Sequence, residues 1–369
     1  MKKILFIPWT ATSGGGSEKI LANITRNLSK DYEIDILEVM KYKNHIENFG
    51  DNVNLLYPVL DKINKKRIPY LISRIFFEIA PMLMKKMRVK KKYDYEIAFN
   101  YLYPAYLMDK KVKSIAYNHG SIENLLDEKE KKNREKYRKS LKYVNKIVAI
   151  SKKTRESIEE VYPEYKDKIV TIYNGYDFLT MREKAKENIN FEEDSLLFIG
   201  RLEEAKGVKR LANIYLSLIK RGLDKKIYFI GEGELENWLK NFIKKHCLSE
   251  KMFILGYKKN PYPYIKKASF VTLTSEAEGF PTVFVEGLAL GVGFVSTKVG
   301  GSEELSNEGK CGFVSESDKK IENYLFSELL LPREKRKIQK EVCLDFVKKY
   351  SIEEQIKKIK ELLKEIDND

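Results

Sequence analysis

Two glutamates in the segment SEAEGFPTVFVEG, Glu278 and Glu286, are separated by seven residues. Pro281 between them suits the first position of a helix, because proline presets φ and lacks the amide hydrogen that a helix start leaves unpaired. Glu278 then lies in the loop before the helix, and Glu286 lies about one turn inside it. Carboxylates accept hydrogen bonds from hydroxyl pairs of a sugar or a ribose, and the first helical amides, at Thr282 and Val283, attract anions. The alternative for Glu286 is an acid that merely stabilises a helix N-terminus.

A second candidate group is a pair of cations after the predicted strand SLLFIG (195–200). Arg201 follows the strand directly, and Lys206 stands just before the next predicted helix. A planar guanidinium and a compact ammonium at the carboxyl end of a parallel strand suit a diphosphate. Solvated surface charge is the alternative, since most lysines are exposed.

A glycine run, TSGGGSEK, follows the first predicted strand. Gly15 and Gly16 precede a helical pattern, where glycine amides can approach an anion closely. The run is not a complete G-x-G-x-x-G motif, because Lys19 occupies the place of the last glycine. A simple tight turn into a helix is the alternative.

Among three histidines, His119 has the most informative position, since it follows the predicted strand KSIAY (113–117) and precedes Gly120. The carboxyl end of a parallel strand is where α/β proteins bind ligands, so His119 is predicted to face a ligand. His45 and His246 fall in polar surroundings and are interpreted as structural or surface residues.

Metal chemistry and a membrane span are both disfavoured by the sequence. The D-x-D pattern occurs only as DND at residues 367–369, at the chain terminus, and the three cysteines show no metal or disulfide spacing. No apolar run is long enough to cross a bilayer, and the apolar start of the chain is too short for a signal peptide. We therefore expect a metal-independent protein of a reducing cytoplasm.

Short β-rich runs alternate with amphipathic helical patterns along the 369 residues. This alternation predicts two α/β units with doubly wound parallel sheets. The expected organisation is an N-terminal domain (1–173), a linker (174–191), a C-terminal domain (192–345) and a final helix (346–369) that packs back toward the N-terminal domain.

Positive charge is concentrated in the first half of the chain, where residues 1–172 carry 35 Lys and Arg against 22 Asp and Glu. Residues 62–93 place an apolar, aromatic centre with Pro81 between two basic clusters. This composition is typical of a segment on an anionic membrane surface, although a helix pair covering a sheet would share it. A general lysine bias of the composition is a further alternative for the charge.

In their order along the chain, the motifs resemble those of the retaining glycosyltransferases of family four, which have the GT-B fold. The resemblance is carried by SEAEGFPTVFVEGLALG with STKVGGSEEL, by GRLEEAKGVKRL, GEGELENWL and YNGYD, and by GGGSEKIL. It spans nearly the whole chain and is weakest over residues 40–112. It implies two Rossmann-like domains facing a central cleft, and sugar transfer from a nucleotide donor, usually UDP-linked, with retention at the anomeric carbon.

The resemblance also implies roles for individual residues. Glu286 should hold ribose hydroxyls, while Arg201 and Lys206 should neutralise the diphosphate. Glu278 should lie by the donor sugar, and His119 should face the donor sugar and the acceptor. The expected donor-binding set is Gly15 and Gly16 at the distal phosphate, Gly256 and Tyr257 near the base, and Gly279, Phe280, Pro281, Thr282 and Val283 around the sugar.

The sequence therefore predicts transfer of a hexosyl or N-acetylhexosaminyl group to a saccharide acceptor. We expect a lipid-linked acceptor in capsule, exopolysaccharide or other cell-envelope synthesis, at the inner face of the plasma membrane, with no further cofactor. A nucleotide-sugar epimerase or hydrolase of the same fold is the main alternative. An NAD-dependent oxidoreductase is disfavoured by the incomplete glycine motifs, and nucleic-acid binding is disfavoured because aromatic and basic residues do not interleave.

Overall fold

The computed structural model describes residues 1–13, 16–43, 47–63, 67–100, 103–276, 278 and 280–368. The chain divides into two compact units, one formed by residues 1–176 with 352–369 and the other by residues 177–351. The stretch 174–191, expected to be a linker, contains a helix and joins the second unit from Asp177 onward.

The first unit is built on a parallel sheet, which has seven strands in the described ranges, with the order β4-β2-β1-β6-β7-β8-β9. Its strands are β1 Lys2–Pro8, β2 Tyr32–Ile36, β4 Val53–Leu55, β6 Tyr95–Phe99, β7 Lys113–Asn118, β8 Lys146–Ala149 and β9 Ile169–Thr171. A separate parallel pair joins β3 Met40–Lys41 to β5 Leu60–Asp61. The strand order reverses direction between β1 and β6, which is the topological switch point of a doubly wound sheet.

Helices cover both faces of this sheet. They are α1 Gly16–Leu28, α2 Arg67–Ile79, α3 Pro81–Arg88, α4 Lys131–Leu141, α5 Lys152–Val161 and the C-terminal α14 Ile352–Asn368. Successive strand residues point to opposite faces, so Leu5 and Ile7 join the cluster under α2 to α5, while Ile4 and Phe6 join the cluster under α1 and α14. The strands therefore read as continuous apolar runs.

The second unit repeats the design with a parallel sheet of order β12-β11-β10-β13-β14-β15 in the described ranges. Its strands are β10 Leu196–Ile199, β11 Ile227–Ile230, β12 Met252–Gly256, β13 Phe270–Leu273, β14 Gly293–Ser296 and β15 Gly312–Val314. Its helices are α6 Phe178–Lys184, α7 Val208–Lys220, α8 Glu236–Lys245, α9 Tyr262–Lys267, α10 Thr282–Ala289, α11 Ser302–Leu305, α12 Asp318–Leu329 and α13 Lys340–Phe346. The switch point here lies between β10 and β13.

The predicted pair of doubly wound parallel sheets is confirmed. The short strands β4 and β15 carry little apolar pattern of their own and were not predicted. The described part of the segment 62–93 contains two helices, because α2 ends at Ile79 and Pro81 begins α3. None of the described helices is both long and apolar enough to span a bilayer.

Candidate active site

The second unit brings Lys206 and Glu278 together at its switch point. Lys206 lies in the loop after β10, and Glu278 lies in the loop after β13, the neighbouring strand. Lys206 Nζ is 2.7 Å from Glu278 Oε1 and 2.9 Å from Oε2. Ser275 Oγ donates to the same Oε1 across 2.9 Å. A carboxylate held by three hydrogen bonds has a fixed orientation, and it orients the ammonium in turn.

Gly207 explains how the two loops come so close. Its φ of 68° is left-handed, and a Cβ at this position would stand 1.9 Å from the carbonyl oxygen of Thr274. Thr274 Oγ1 donates to Gly207 O across 2.8 Å, and Glu276 N–H donates to Ala205 O across 3.0 Å. Glycine is the residue that permits both the conformation and the approach.

Arg201 occupies the same edge but points elsewhere. Its guanidinium pairs with Glu203 Oε1 at 2.9 Å, and three quarters of its side chain is exposed. The described structure therefore brings Arg201 to the loop after β10 without joining it to the pair of Lys206 and Glu278.

The helix between the two signature glutamates begins one residue later than predicted. Pro281 precedes α10 with φ −75° and ψ 92°, so its ψ is not helical. Phe284 N–H donates to Pro281 O across 3.0 Å, which leaves the amides of Thr282 and Val283 at the helix start. Amides at a helix start can bind an anion, and the anion site expected here stays a prediction.

Glu286 lies within α10 and is partly buried. Tyr262, at the start of α9, is a neighbour that the sequence did not reveal. Burial raises the pKa of Tyr262 to about 12, and the nearby carboxylates of Glu286 and Asp177 add to the effect. The phenol therefore keeps its proton and can donate a hydrogen bond at neutral pH.

The remaining donor-site predictions fall around the same sheet. Phe280 packs over Gly301, where a Cβ would meet the ring at 2.5 Å, and against the ring of Tyr350 at 5.9 Å. Gly256 ends β12 with φ 68°, and Tyr257 after it is 69% exposed. An exposed aromatic ring at a strand end is available for stacking. Gly279 lies outside the described residues.

In the first unit, His119 follows β7, and its ring contacts Phe99 and Tyr117 at centroid distances of 4.5 Å and 5.2 Å. Burial lowers the pKa of His119 to about 3, because the imidazolium would lose its hydration. His119 is therefore neutral at physiological pH. Its Nε2 has no hydrogen-bond partner among the residues that the structure describes.

The loop after β1 is held by a buried acid that the sequence analysis missed. Glu38 Oε2 accepts hydrogen bonds from Ala11 N–H and Thr12 Oγ1, each at 3.0 Å. Burial raises the pKa of Glu38. Gly16 is the first residue of α1, whereas Gly15 lies outside the described residues, as does His45.

Among the described residues, no group of three or more His, Cys, Asp or Glu side chains is placed to hold a metal ion.

Sequence comparison matches both halves of the chain to glycosyltransferase families. Residues 14–178 match the model of "Glycosyltransferase Family 4", and residues 180–343 match that of "Glycosyl transferases group 1". An uncharacterised glycosyltransferase of Methanocaldococcus jannaschii is 28% identical over 365 residues, which is 95% of each chain.

A Campylobacter jejuni relative is 32% identical over 195 residues, 53% of this chain and 52% of that protein. It is an N-acetylgalactosamine-N,N'-diacetylbacillosaminyl-diphospho-undecaprenol 4-alpha-N-acetylgalactosaminyltransferase. The aligned region thus spans about half the length of this relative. Among solved structures, Anabaena HepE in complex with UDP has a TM-score of 0.73 at 15% identity and covers 99% of this chain and 100% of its own.

Two doubly wound parallel sheets, each with polar residues at its switch point, define a protein of the GT-B architecture. The two family matches cover most of the chain in the same order as the two units. Both halves of the chain thus match glycosyltransferase family models, and the fold is that of the GT-B glycosyltransferases.

Proposed function

We propose that the protein is a retaining family-four glycosyltransferase that moves a sugar from a UDP-linked donor to a saccharide acceptor. The observation that carries this proposal is the contact of Lys206 with Glu278 at the switch point beside the start of α10. The complex of HepE with UDP supports the choice of nucleotide. In this proposal residues 192–345 hold the donor, and residues 1–173 hold the acceptor.

The proposed chemistry is stabilisation of a departing diphosphate. As the anomeric C–O bond breaks, its electron pair moves to the β-phosphate oxygen, and positive character develops on the sugar. Lys206 and the amides at the start of α10 are the preorganised partners for that negative charge in this proposal, and Arg201 is a further candidate partner. Arg201 would have to exchange Glu203 for the diphosphate, which its exposed side chain permits.

The acceptor hydroxyl attacks the same face of the sugar and gives its proton to the departing phosphate oxygen, so configuration is retained. Glu278 orients Lys206 and lies by the donor sugar, and Glu286 accepts from the ribose hydroxyls. His119 is neutral, so it contributes hydrogen bonding rather than charge. Gly15, Gly16 and Gly279 complete the phosphate and sugar contacts, and no metal ion takes part.

The experiment is a donor screen by thermal shift with UDP-, GDP- and ADP-sugars. UDP-sugars should raise the melting temperature of the wild type. In Glu286→Ala the UDP-sugar concentration that gives half of the maximal shift should be about tenfold higher. Glu236→Ala is the matched control, because Glu236, like Glu286, is a glutamate in a helix of the second unit. If millimolar nucleotide sugars leave the wild type unshifted, the donor-site proposal is wrong.

We further propose that the segment 62–93 binds an anionic membrane surface. Its residues 64–66 lie outside the described ranges, and the proposal rests on α2 and α3. Large apolar side chains of α2 and α3 lie on the side away from the sheet, with exposures between 38% and 76%. They are Leu71, Ile72, Ile75, Phe76, Ile79, Leu83 and Met87. Lys86 and Lys90–Lys92 add exposed positive charge beside them. An apolar stripe flanked by cations is suited to the headgroup region of anionic lipids.

Vesicle sedimentation tests the membrane proposal. Phosphatidylglycerol vesicles should bind the wild type at low salt more strongly than phosphatidylcholine vesicles. The double change Ile72→Glu and Ile75→Glu should abolish this binding, whereas Leu330→Glu, at an exposed leucine of the second unit, should not. Equal binding of the double variant and the wild type would refute the assignment.

A lipid-linked acceptor in cell-envelope synthesis follows from the membrane proposal and is supported by the undecaprenol-linked substrate named for the C. jejuni relative. The family matches do not favour the epimerase or hydrolase alternative. Product analysis with and without a polyprenyl-diphosphate saccharide distinguishes them, because only a transferase yields an extended glycan.

A further inference from the structure

Three buried polar atoms belong to residues at the carboxyl edge of the first sheet and have no hydrogen-bond partner in the described part of the chain. They are Asn100 Oδ1, Asn118 Oδ1 and His119 Nε2. Asn100 is 3% exposed and Asn118 is 1% exposed. A buried polar atom without a partner destabilises the fold, so three of them at one edge indicate a binding role.

Neighbouring strands bring these residues together. Asn100 follows β6 and Asn118 ends β7, and the register of β6 with β7 pairs Ala98 with Ala116, two residues before each asparagine. His119 N–H donates to Asn100 O across 3.1 Å. The backbones of Asn100, Asn118 and His119 are therefore neighbours at this edge of the sheet.

The backbone at Asn100 supports a functional reading. Its φ is 87°, in the left-handed region, which asparagine tolerates better than most residues but still at a free-energy cost. Asn100 also stands at the carboxyl end of β6, beside β1, where the strand order reverses. A strained residue at a switch point is where a ligand contact is expected.

We infer that Asn100 and Asn118 form, with His119, a subsite for the hydroxyl groups of a sugar. Asn118 Nδ2 donates to Gly120 O across 2.7 Å, which orients its Oδ1 as a hydrogen-bond-accepting atom. Two amide oxygens and a neutral imidazole match hydroxyl groups, which can donate. The amide oxygens do not match a diphosphate, whose ionised oxygens have no proton to donate. This inference rests on the proposed transferase function and adds Asn100 and Asn118 to its sugar-binding residues.

The test separates sugar binding from folding. Asn100→Gly suits the left-handed backbone and removes the amide, so its melting temperature should stay within about 3 °C of the wild type or rise. Its half-saturating sugar concentration should increase about 3- to 10-fold, which corresponds to one lost hydrogen bond. Asn100→Asp keeps an oxygen at the same place and should restore most of the affinity. Asn118→Ser should weaken sugar binding in the same way.

The matched control is Asn307→Gly, which makes the same substitution at another left-handed asparagine, with φ 50°, in the second unit. It should leave sugar binding unchanged. Two measurements are made on each variant. They are saturation-transfer NMR with octyl glycosides of glucose, galactose and their N-acetylamino derivatives in the presence of UDP, and UDP-sugar hydrolysis without any glycoside.

The measurements also show whether the subsite binds the donor sugar or the acceptor. A weaker octyl glycoside signal with unchanged hydrolysis assigns the subsite to the acceptor, and a raised KM for hydrolysis assigns it to the donor. The inference is wrong if Asn100→Gly leaves both sugar measurements unchanged. A lowered melting temperature in that case would show that the amide serves folding, for example through an internal water. UDP thermal shift is recorded in parallel, so a failure of the donor site in the wild type is recognised separately.

Discussion

Lys206 and Glu278 are 72 residues apart in the sequence, and their side chains meet in a two-oxygen ion pair at 2.7 Å and 2.9 Å. The pair is largely covered, with 22% and 12% of the two side chains exposed. It is therefore less screened than a surface ion pair, and it holds the ammonium at the switch point of the second sheet. In the proposed mechanism a diphosphate competes with Glu278 for the same ammonium.

Replacement of Lys206 by methionine removes that ammonium and keeps the length of the side chain. Turnover should fall about 100- to 1000-fold, because one preorganised partner of the leaving group is lost. UDP release measures it. Lys209→Met is the control, because Lys209 is close to Lys206 in the chain and pairs with Glu204 at 2.8 Å in a more exposed position. Its turnover should stay within about twofold of the wild type. Equal losses in both variants would contradict the role of Lys206.

Glu278→Gln should separate binding from turnover. The amide has no charge with which to hold Lys206, so the ammonium becomes more available to the diphosphate, and UDP affinity should stay within about threefold of the wild type or increase. The turnover number should fall by at least about tenfold, because the donor sugar loses its carboxylate. Calorimetry with UDP and steady-state kinetics measure the two effects. Glu276→Gln, on the same loop, should change neither, and a parallel loss of UDP affinity in Glu278→Gln would count against the proposal.

The stability of the protein should depend on pH through His119. Its folded pKa, about 3, lies below the value near 6.5 of an unfolded histidine, so the unfolded chain binds the proton first as the pH falls. The contribution of His119 to folding is complete above pH 6.5 and is lost progressively toward pH 3. Between pH 6.5 and pH 5 the loss should be at most about 2 kcal/mol.

Urea unfolding at pH 7, 6 and 5 measures this loss as a difference between the wild type and His119→Gln. The difference cancels the contributions of the carboxylates, which titrate in both proteins. Parallel stability curves for the two proteins over this range would show that His119 can take up a proton in the folded state.

A buried ion pair fastens α3 to the first sheet. Lys85 Nζ lies 2.5 Å from Glu96 Oε1, and both side chains are about 5% exposed. Lys85→Met should cost about 3–5 kcal/mol in the free energy of unfolding, because it leaves the Glu96 carboxylate buried without its cation. Adding Glu96→Gln should recover part of this cost.

Urea denaturation measures the cost of breaking this pair. Lys186→Met removes an exposed partner of Glu183 and should cost less than about 1 kcal/mol. Comparable costs for Lys85→Met and Lys186→Met would mean that the Lys85 ammonium is solvated in the native protein.

The sequence predicted the fold class from local patterns. The alternation of apolar runs and amphipathic segments predicted both parallel sheets, since strands buried on both faces read as continuous apolar runs. Short strands such as β4 Val53–Leu55 escaped prediction because three residues carry too little periodicity. Pro81 separates α2 from α3, because proline is favoured at the first position of a helix.

Local sequence determined which residues stand at strand ends and helix starts, and hence the candidates Lys206, Glu278, Glu286 and His119. Tertiary structure decided which of them meet. Strand β13 adds to the sheet directly beside β10, and this neighbourhood places Lys206 against Glu278, whereas Arg201 five residues earlier turns to Glu203. The environments of His119, Asn100 and Tyr262 depend on side chains that are distant in sequence and close in space. Contacts of this kind follow from strand order and packing, which no local pattern of residues encodes.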